Sequence, residues 1–276
     1  MRIYIPTYRR VDSQITFHRL SPRWQARTTL VAYEEEADEL GGTYPVEVCP
    51  VRGIGPKRQW IIDQHDVERW GPVAVMMDDD LGFAARRTDD PTKFRKMGPD
   101  SHADVDAMMT YLQTALTLAR WGSIRTRSGA NQDPHDVYLP NRRVYQVLAL
   151  HVPTLRTHGL RADRVAFMED FDLGLQLLSL GYRSLTVNRY VKDDLGGANA
   201  PGGCSTSRTN ATQTQAALAL AKLWPAYVQT VERPGWQGLG GDTRLDVRVQ
   251  WAKAYRDGLE ARDMLGLPPE PDISFI

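Results

Sequence analysis

The stretch "VAVMMDDDLGF", Val73 to Phe83, decides how this chain is read. A buried apolar run ends directly on three carboxylates, Asp78, Asp79 and Asp80. Like charges at that spacing repel, and each resists ionisation beside its neighbours. The pattern therefore demands a positive partner. Side chains alternate along a strand, so an Asp-x-Asp at a strand end would put Asp78 and Asp80 on one side and turn Asp79 elsewhere. Two such carboxylates, completed by substrate phosphates, suit Mg²⁺ or Mn²⁺. A solvated acidic turn is the plainer alternative.

Other strand-like segments surround this one. "RIYIP" (Arg2 to Pro6), "TTLVAY" (Thr28 to Tyr33), "PVEVCPV" (Pro45 to Val51) and "PVAVMM" (Pro72 to Met77) are short, apolar or β-branched, and bounded by turn formers. "GPKRQWIIDQH" lies between the last two and has a helical repeat, with Pro56 suited to a first turn. Alternating strands and helices predict an α/β fold with a mixed, mostly parallel sheet flanked by helices. Ligands in such sheets sit outside the carboxyl ends of the strands, where the acidic run falls.

Downstream, residues 82 to 102 are rich in turn formers and read as an exposed loop. Residues 103 to 120 carry apolar positions every three or four residues, an amphipathic helix. A basic irregular piece holds Arg125, Arg127, Arg142 and Arg143, and "VYQVLALHV" (Val144 to Val152) reads as a strand. "EDFDLGLQLLSLGYRSLTVNRYV" reads as a helix closed by Gly181 and a strand from Ser184 to Val191. A Gly-rich loop, Leu195 to Ser207, precedes two predicted helices, about Ala211 to Tyr227 and Leu245 to Met264. The tail "PPEPDISFI" is expected to lie loose or on a neighbour.

The chain has 276 residues, 42% of them hydrophobic, and zero formal net charge, so bulk basicity is excluded as a way of holding nucleic acid. A local basic face is not excluded: there are 28 Arg and 6 Lys. Two cysteines give neither a disulfide framework nor a zinc pattern. No apolar run approaches a signal peptide or a membrane span, so a cytoplasmic protein with no membrane partner is expected. No Gly-x-x-x-x-Gly-Lys-Ser/Thr loop is present, and the acidic run is not on the first strand. These two facts disfavour Walker-type nucleotide binding and phospho-aspartyl transfer.

"VMMDDD", followed about 90 residues later by "MEDFDLGLQLLSLGYR", resembles the GT-A fold inverting glycosyltransferases with an Asp-x-Asp motif and a downstream Glu-Asp-x-Asp-Leu-x-x-Arg-Leu. Gln176 stands where that pattern usually has Arg, which leaves one local salt bridge without its usual cation. "GPKRQ", "GGCSTSRT" and "LWPAYV" are more narrowly similar to the phage and bacterial TET-associated glycosyltransferases that decorate 5-hydroxymethylpyrimidines in DNA. The resemblance implies a GT-A domain over residues 1–230, with 231–276 a helical extension packed on it.

It further implies a nucleotide-diphosphate sugar donor, most simply a UDP-sugar, with Mn²⁺ or Mg²⁺ on Asp78 and Asp80 and Asp79 beside the donor. Thr7, Tyr8 and Arg9 would line the nucleotide pocket, with Arg58 on nucleotide or sugar. Glu34 could accept from the base edge or be a surface charge. Lys57 could join Arg58 or face water. Gly53 and Gly55 could approach phosphate or form a turn. Asp170 takes the role of general base and Glu169 that of acceptor or sugar contact, while Asp172 is expected to be structural. No His follows His158, so Asp193 or Asp194 could complete the metal site. For a DNA acceptor, Arg86, Arg87, Arg95 and Arg125 to Arg143 are phosphate candidates, and Tyr138, Tyr145 and Trp121 could stack on a flipped base. A saccharide, lipid or protein acceptor, or a metal-dependent nuclease or nucleotidyltransferase, are the competing readings.

Overall fold

The computed structural model describes residues 1–195 and 202–273, with 204 and 205 in backbone only. The first part of the chain alternates as predicted: β1 (Arg2–Pro6), α1 (Ile15–Arg19), α2 (Pro22–Gln25), β2 (Thr28–Ala32), α3 (Glu34–Gly41), β3 (Val46–Val48), α4 (Ile54–Gln64), α5 (Val67–Trp70) and β4 (Val73–Met77). Then follow β5 (Leu81–Arg86), β6 (Phe94–Lys96), α6 (His102–Leu118), β7 (Trp121–Thr126), β8 (Tyr138–Pro140), β9 (Val147–His151), α7 (Val152–Thr157), α8 (Glu169–Ser179) and β10 (Ser184–Asp194). The chain ends with α9 (Asn210–Leu223), β11 (Val228–Pro234), β12 (Thr243–Val249) and α10 (Trp251–Met264).

Ten strands form one sheet, ordered β3-β2-β1-β4-β9-β7-β10-β5-β6, with β8 on β10. The run from β3 to β4 is parallel; β9 enters antiparallel between β4 and β7, and β10 pairs parallel with β7. Alternation along the strands splits the apolar residues between two cores. Ile3, Ile5, Val75 and Met77 pack on the α6 face, whereas Tyr4, Ala74 and Met76 pack on the face covered by α4, α7, α8 and α9. The result is the mixed α/β, Rossmann-like architecture expected from the sequence, with helices on both faces. Among the described residues, no helix is long and apolar enough to cross a membrane.

Four expectations change. Residues 82 to 102 are only in part an exposed loop: most of 87–100 is exposed, whereas β5 is buried along its whole length and pairs with β10. Its small residues, Gly82, Ala84 and Ala85, fit between layers, and a Cβ on Gly82 would meet Leu195 at 2.7 Å. The stretch expected to be helical from Leu245 begins as strand, because "TRLDVRV" alternates with period two and zips against β11. Residue 230, the expected domain boundary, falls inside β11. The described part of the tail is not loose either. The Glu270 carboxylate, 3% exposed, lies 3.2 Å from Arg183 and 3.9 Å from Arg262.

Since β1 and β4 run parallel with Tyr4 opposite Met76, the segments that leave them, Thr7–Arg10 and Asp78–Asp80, emerge side by side at one edge. That edge holds the site.

Candidate functional site

β4 ends at Met77, and residues 78–80 are a turn rather than strand. The period-two alternation stops there, so Asp78 and Asp80 are not a pair facing away from Asp79. Instead Asp79 and Asp80 converge on one guanidinium: Arg10 Nη1 donates to Asp79 Oδ1 and to Asp80 Oδ2, both at 2.5 Å. Asp79 Oδ2 also accepts from the Thr7 hydroxyl at 2.6 Å. Asp78 points the other way, to Arg58 Nη2 at 3.1 Å. Thr16, fully buried, holds the turn: its N–H donates to Asp79 O, and its hydroxyl donates to Asp78 O and accepts from the Leu81 N–H.

α4 carries Arg58 inward. Gly55 on that helix lies so close to the backbone of the segment before α8 that a Cβ would stand 2.7 Å from Ala162 O. Only glycine permits that approach. Arg58, 5% exposed, then reaches Glu169 Oε1 with Nη1 while Nη2 holds Asp78. The two acidic clusters of the sequence therefore meet on one arginine. Burial pushes the Asp78 carboxyl up to about 7, opposed by Arg58 and reinforced by Asp80, Asp79 and Glu169. Burial raises Glu169 as well, against the pull of Arg58 and with the push of Asp170.

Asp170 opens α8 beside Glu169. Its Oδ2 accepts from Arg143 Nε at 2.8 Å and Nη2 at 2.7 Å, a two-point clamp. The Arg143 guanidinium lies 3.7 Å from the Phe171 ring centroid. Met168, the residue before the helix, takes a positive φ of 65°. That left-handed turn aims Glu169 and Asp170 back at the sheet edge. Asp172 is structural as expected. It is fully buried and accepts from Trp224 Nε1 at 2.7 Å and Gln176 Nε2 at 2.9 Å. Gln176 thus keeps a hydrogen bond where the family pattern has an Arg, and Arg164, at 3.4 Å, supplies the cation from another segment.

The remaining predicted donor residues divide. Thr7 is internal, tied to Asp79 and to Gln14. Tyr8 packs edge-on against Tyr33, with ring centroids 5.2 Å apart. Lys57, 2% exposed, lies 3.7 Å from the Tyr33 ring centroid and donates to Thr7 O and Val31 O, so it ties together the ends of β1 and β2 instead of facing water. Glu34 is exposed in the first turn of α3. Its neighbour Glu36 is the one turned inward, accepting from the Arg9 N–H. Gly53, with φ 96°, makes the turn into α4. Asp193 pairs with Arg127 at 3.2 Å. Asp194 ends β10 opposite Leu81, and Leu195 N donates to Asp80 O. No group of three or more His, Cys, Asp or Glu side chains converges as a metal cage among the described residues. Of the Gly-rich loop from Leu195 to Ser207, residues 196–201 lie outside the described residues.

Several basic and aromatic candidates for DNA are interior. Arg86, 3% exposed, donates to Asn188 O, Ala130 O and Pro91 O and is a structural tie. Trp121 and Tyr138 are core residues. Tyr145, Arg125, Arg142 and Arg143 instead line a cavity of about 700 Å³ beside Asp170. Arg10, Thr16 and Glu36 were not visible in the sequence. An Arg adjacent to the predicted Arg9 carries no periodic signal, and only the parallel pairing of β1 with β4 makes it a partner.

The chain is similar to known glycosyltransferases. The profile of the TET-associated glycosyltransferases matches residues 1–194. The chain is also 24% identical over 234 residues to a phage T6 protein, beta-glucosyl-HMC-alpha-glucosyl-transferase, covering 82% of this chain and 81% of that one. The phage T2 protein of the same name is 23% identical over the same length and shares. With the family profile spanning the sheet and both acidic clusters, the chain belongs to the TET-associated glycosyltransferases.

Proposed function

We propose that this glycosyltransferase moves a sugar from a nucleotide-diphosphate donor, a UDP-sugar, to a hydroxyl carried by 5-hydroxymethylpyrimidine in DNA, with inversion at the sugar carbon. The observation that carries the reading is Arg58 joining Asp78 to Glu169, with Asp170 next in line. The donor side and the acceptor side of a transfer reaction meet there.

On the donor side, two guanidiniums, Arg10 and Arg58, serve four carboxylates, Asp78, Asp79, Asp80 and Glu169, among the described residues. More carboxylates than guanidiniums, all hard oxygen ligands whose charged forms burial disfavours, fit a divalent cation that would stabilise those charges. Asp78 and Asp80 would hold it. When bound, such an ion supplies charge stabilisation for the leaving diphosphate. Asp80 is engaged by Arg10 here, so Arg10 must turn from it for a cation to bind. Arg10 is then available for donor phosphate, a bidentate role to which arginine is suited. Tyr8 and Tyr33 offer aromatic edges for the base.

On the acceptor side, Asp170 takes the hydroxyl proton as that oxygen attacks. The Arg143 clamp fixes one oxygen of Asp170, Oδ2, leaving Oδ1 for the acceptor. Glu169, with its pKa raised, positions acceptor or sugar hydroxyls from the same helix start.

Radiolabelled UDP-glucose offered with hydroxymethylated or unmodified duplex DNA tests the reading. Label is expected only on the hydroxymethylated duplex, and equal labelling of both would overturn it. A second acceptor reading has its own support: the phage relatives are named for beta-glucosyl-HMC. Duplex that already carries glucosylated hydroxymethylcytosine belongs in the same assay, and the anomeric NMR coupling of the product decides inversion.

A further inference from the structure

The cavity beside Asp170 has a composition that the chain as a whole does not. The protein has zero net charge, yet the walls carry Arg125, Arg142, Arg143, Lys192, Lys253 and Arg256 and no carboxylate. At about 700 Å³ it is of the size that takes a small-molecule-sized group. Its two aromatic walls are Tyr145 and Trp251. Trp251 stacks on Phe171, with ring centroids 5.7 Å apart and planes 24° apart, and Phe171 follows Asp170. The floor of the cavity therefore reaches the Asp170 carboxylate through Arg143.

One wall is strained. Asn141 and Gln146 hold positive φ angles of 53° and 60° and bracket the segment that presents Arg142, Arg143 and Tyr145. Their side-chain oxygens, Asn141 Oδ1 and Gln146 Oε1, are buried without a hydrogen-bond partner. Backbone held in such conformations, with polar atoms left unmet, is characteristic of binding segments. The opposite wall, from Val249 to Arg256, comes from the end of the β11–β12 hairpin and the start of α10. This wall lies beyond the 1–194 span matched by the family profile. Existing ion pairs do not saturate the cations. Arg142–Asp133 at 3.4 Å and Lys253–Asp257 at 2.6 Å are partly solvent-exposed pairs of the kind that exchange readily for phosphate.

We propose that this cavity is the acceptor pocket for one nucleotide swung out of the DNA duplex, its base held between Tyr145 and Trp251 and its flanking phosphates on Arg142, Lys253 and Arg256. The proposal rests on the DNA-acceptor reading above and adds which surface takes the strand. The C-terminal hairpin and α10 are then the acceptor-recognition element. The Thr7–Arg10 and Asp78–Asp80 edge, on the far side of Arg58, is left to the donor. Mutual repulsion among the cations supports the assignment: Arg125 is pushed below its ordinary pKa by burial and by Arg142, and a phosphate in the cavity offsets that repulsion. Stacking of one base on aromatic faces combined with backbone phosphate contacts is how extruded nucleotides are held.

The test uses the full chain and a short duplex with one hydroxymethylcytosine beside a 2-aminopurine. Arg256→Glu and Lys253→Glu are each expected to weaken DNA binding by about tenfold or more in fluorescence anisotropy and to lower the salt slope by about one. UDP affinity by calorimetry should stay at the wild-type value in both. Arg23→Glu, on the exposed surface of α2, controls for overall charge and should leave DNA binding unchanged. The 2-aminopurine emission should rise on binding wild type and not with Trp251→Ala. Wild-type DNA affinity in both charge reversals, or no fluorescence rise with wild type, overturns the pocket assignment. If the wild type shows the full binding signature but transfers no sugar, the assigned function falls and the pocket stands. If sugar transfer is intact in both charge reversals, the pocket falls and the function stands.

Discussion

Asp78 and Glu169, at the end of β4 and the start of α8, share the guanidinium of Arg58. Arg58 and Glu169 form the buried centre of the site, with Asp78 at its partly exposed edge. They explain why α4, which carries neither acidic cluster, is pressed so tightly through Gly55 against the segment before α8.

Removing that guanidinium leaves two carboxylates facing each other. Breaking a buried ion pair from one side costs about 3–5 kcal/mol. Asp78 is one-third exposed, so the lower end applies. Arg58→Ala should lower the thermal midpoint clearly and reduce sugar transfer by more than about a hundredfold. A variant that melts and transfers like wild type would show that the two clusters are independent.

Asp170→Asn keeps the shape of the clamp but removes the base. Loss of a general base costs about 10²–10⁴-fold in turnover. The expected result is a collapse of kcat with UDP affinity and DNA affinity unchanged. Full activity in this variant would assign proton removal to another group.

Metal dependence has its own readout. Transfer should cease in EDTA and return with Mn²⁺ or Mg²⁺. Asp80→Ala should lose the manganese-dependent part of UDP binding measured by calorimetry. UDP binding that ignores both EDTA and this substitution would leave Arg10 and Arg58 as the sole counter-charges.

Lys192 supplies a pH dependence. It is buried beneath the acceptor cavity with Nζ bonded to Ser123 Oγ and Ile124 O, and burial depresses its pKa to about 7. A depressed folded-state pKa means that this lysine's stability contribution is present above the unfolded value near 10.5. That contribution is lost as pH falls toward 7. Lys192→Met should therefore raise the melting temperature at pH 6, by about 2–4 kcal/mol of stability. The gain should shrink toward pH 10. A gain that is the same at both pH values would mean that the ammonium carries no burial penalty.

Much of the architecture was legible before the structure. The runs ending at Pro6, Ala32 and Met77, the α4 repeat and the Glu-Asp start of α8 all follow from apolar period and turn chemistry, and each formed where expected. β5 was missed because small residues buried on both faces leave no alternation to read. β12 was missed because its period-two pattern is short and leads straight into α10. Arg86 looked like a surface cation until β10 placed Asn188 against it.

By itself the sequence determined that three carboxylates would crowd at the end of a parallel strand and that a second acidic pair would open a later helix. It could not determine which cation answers which carboxylate. Arg10, Arg58 and Arg143 reach Asp79 and Asp80, Glu169 and Asp78, and Asp170 only because strand order and a glycine contact bring distant segments together. Local periodicity encodes which residues share a face of one element. The crossing of elements decides which faces meet, and the low-dielectric interior then forces each buried charge to find its partner there.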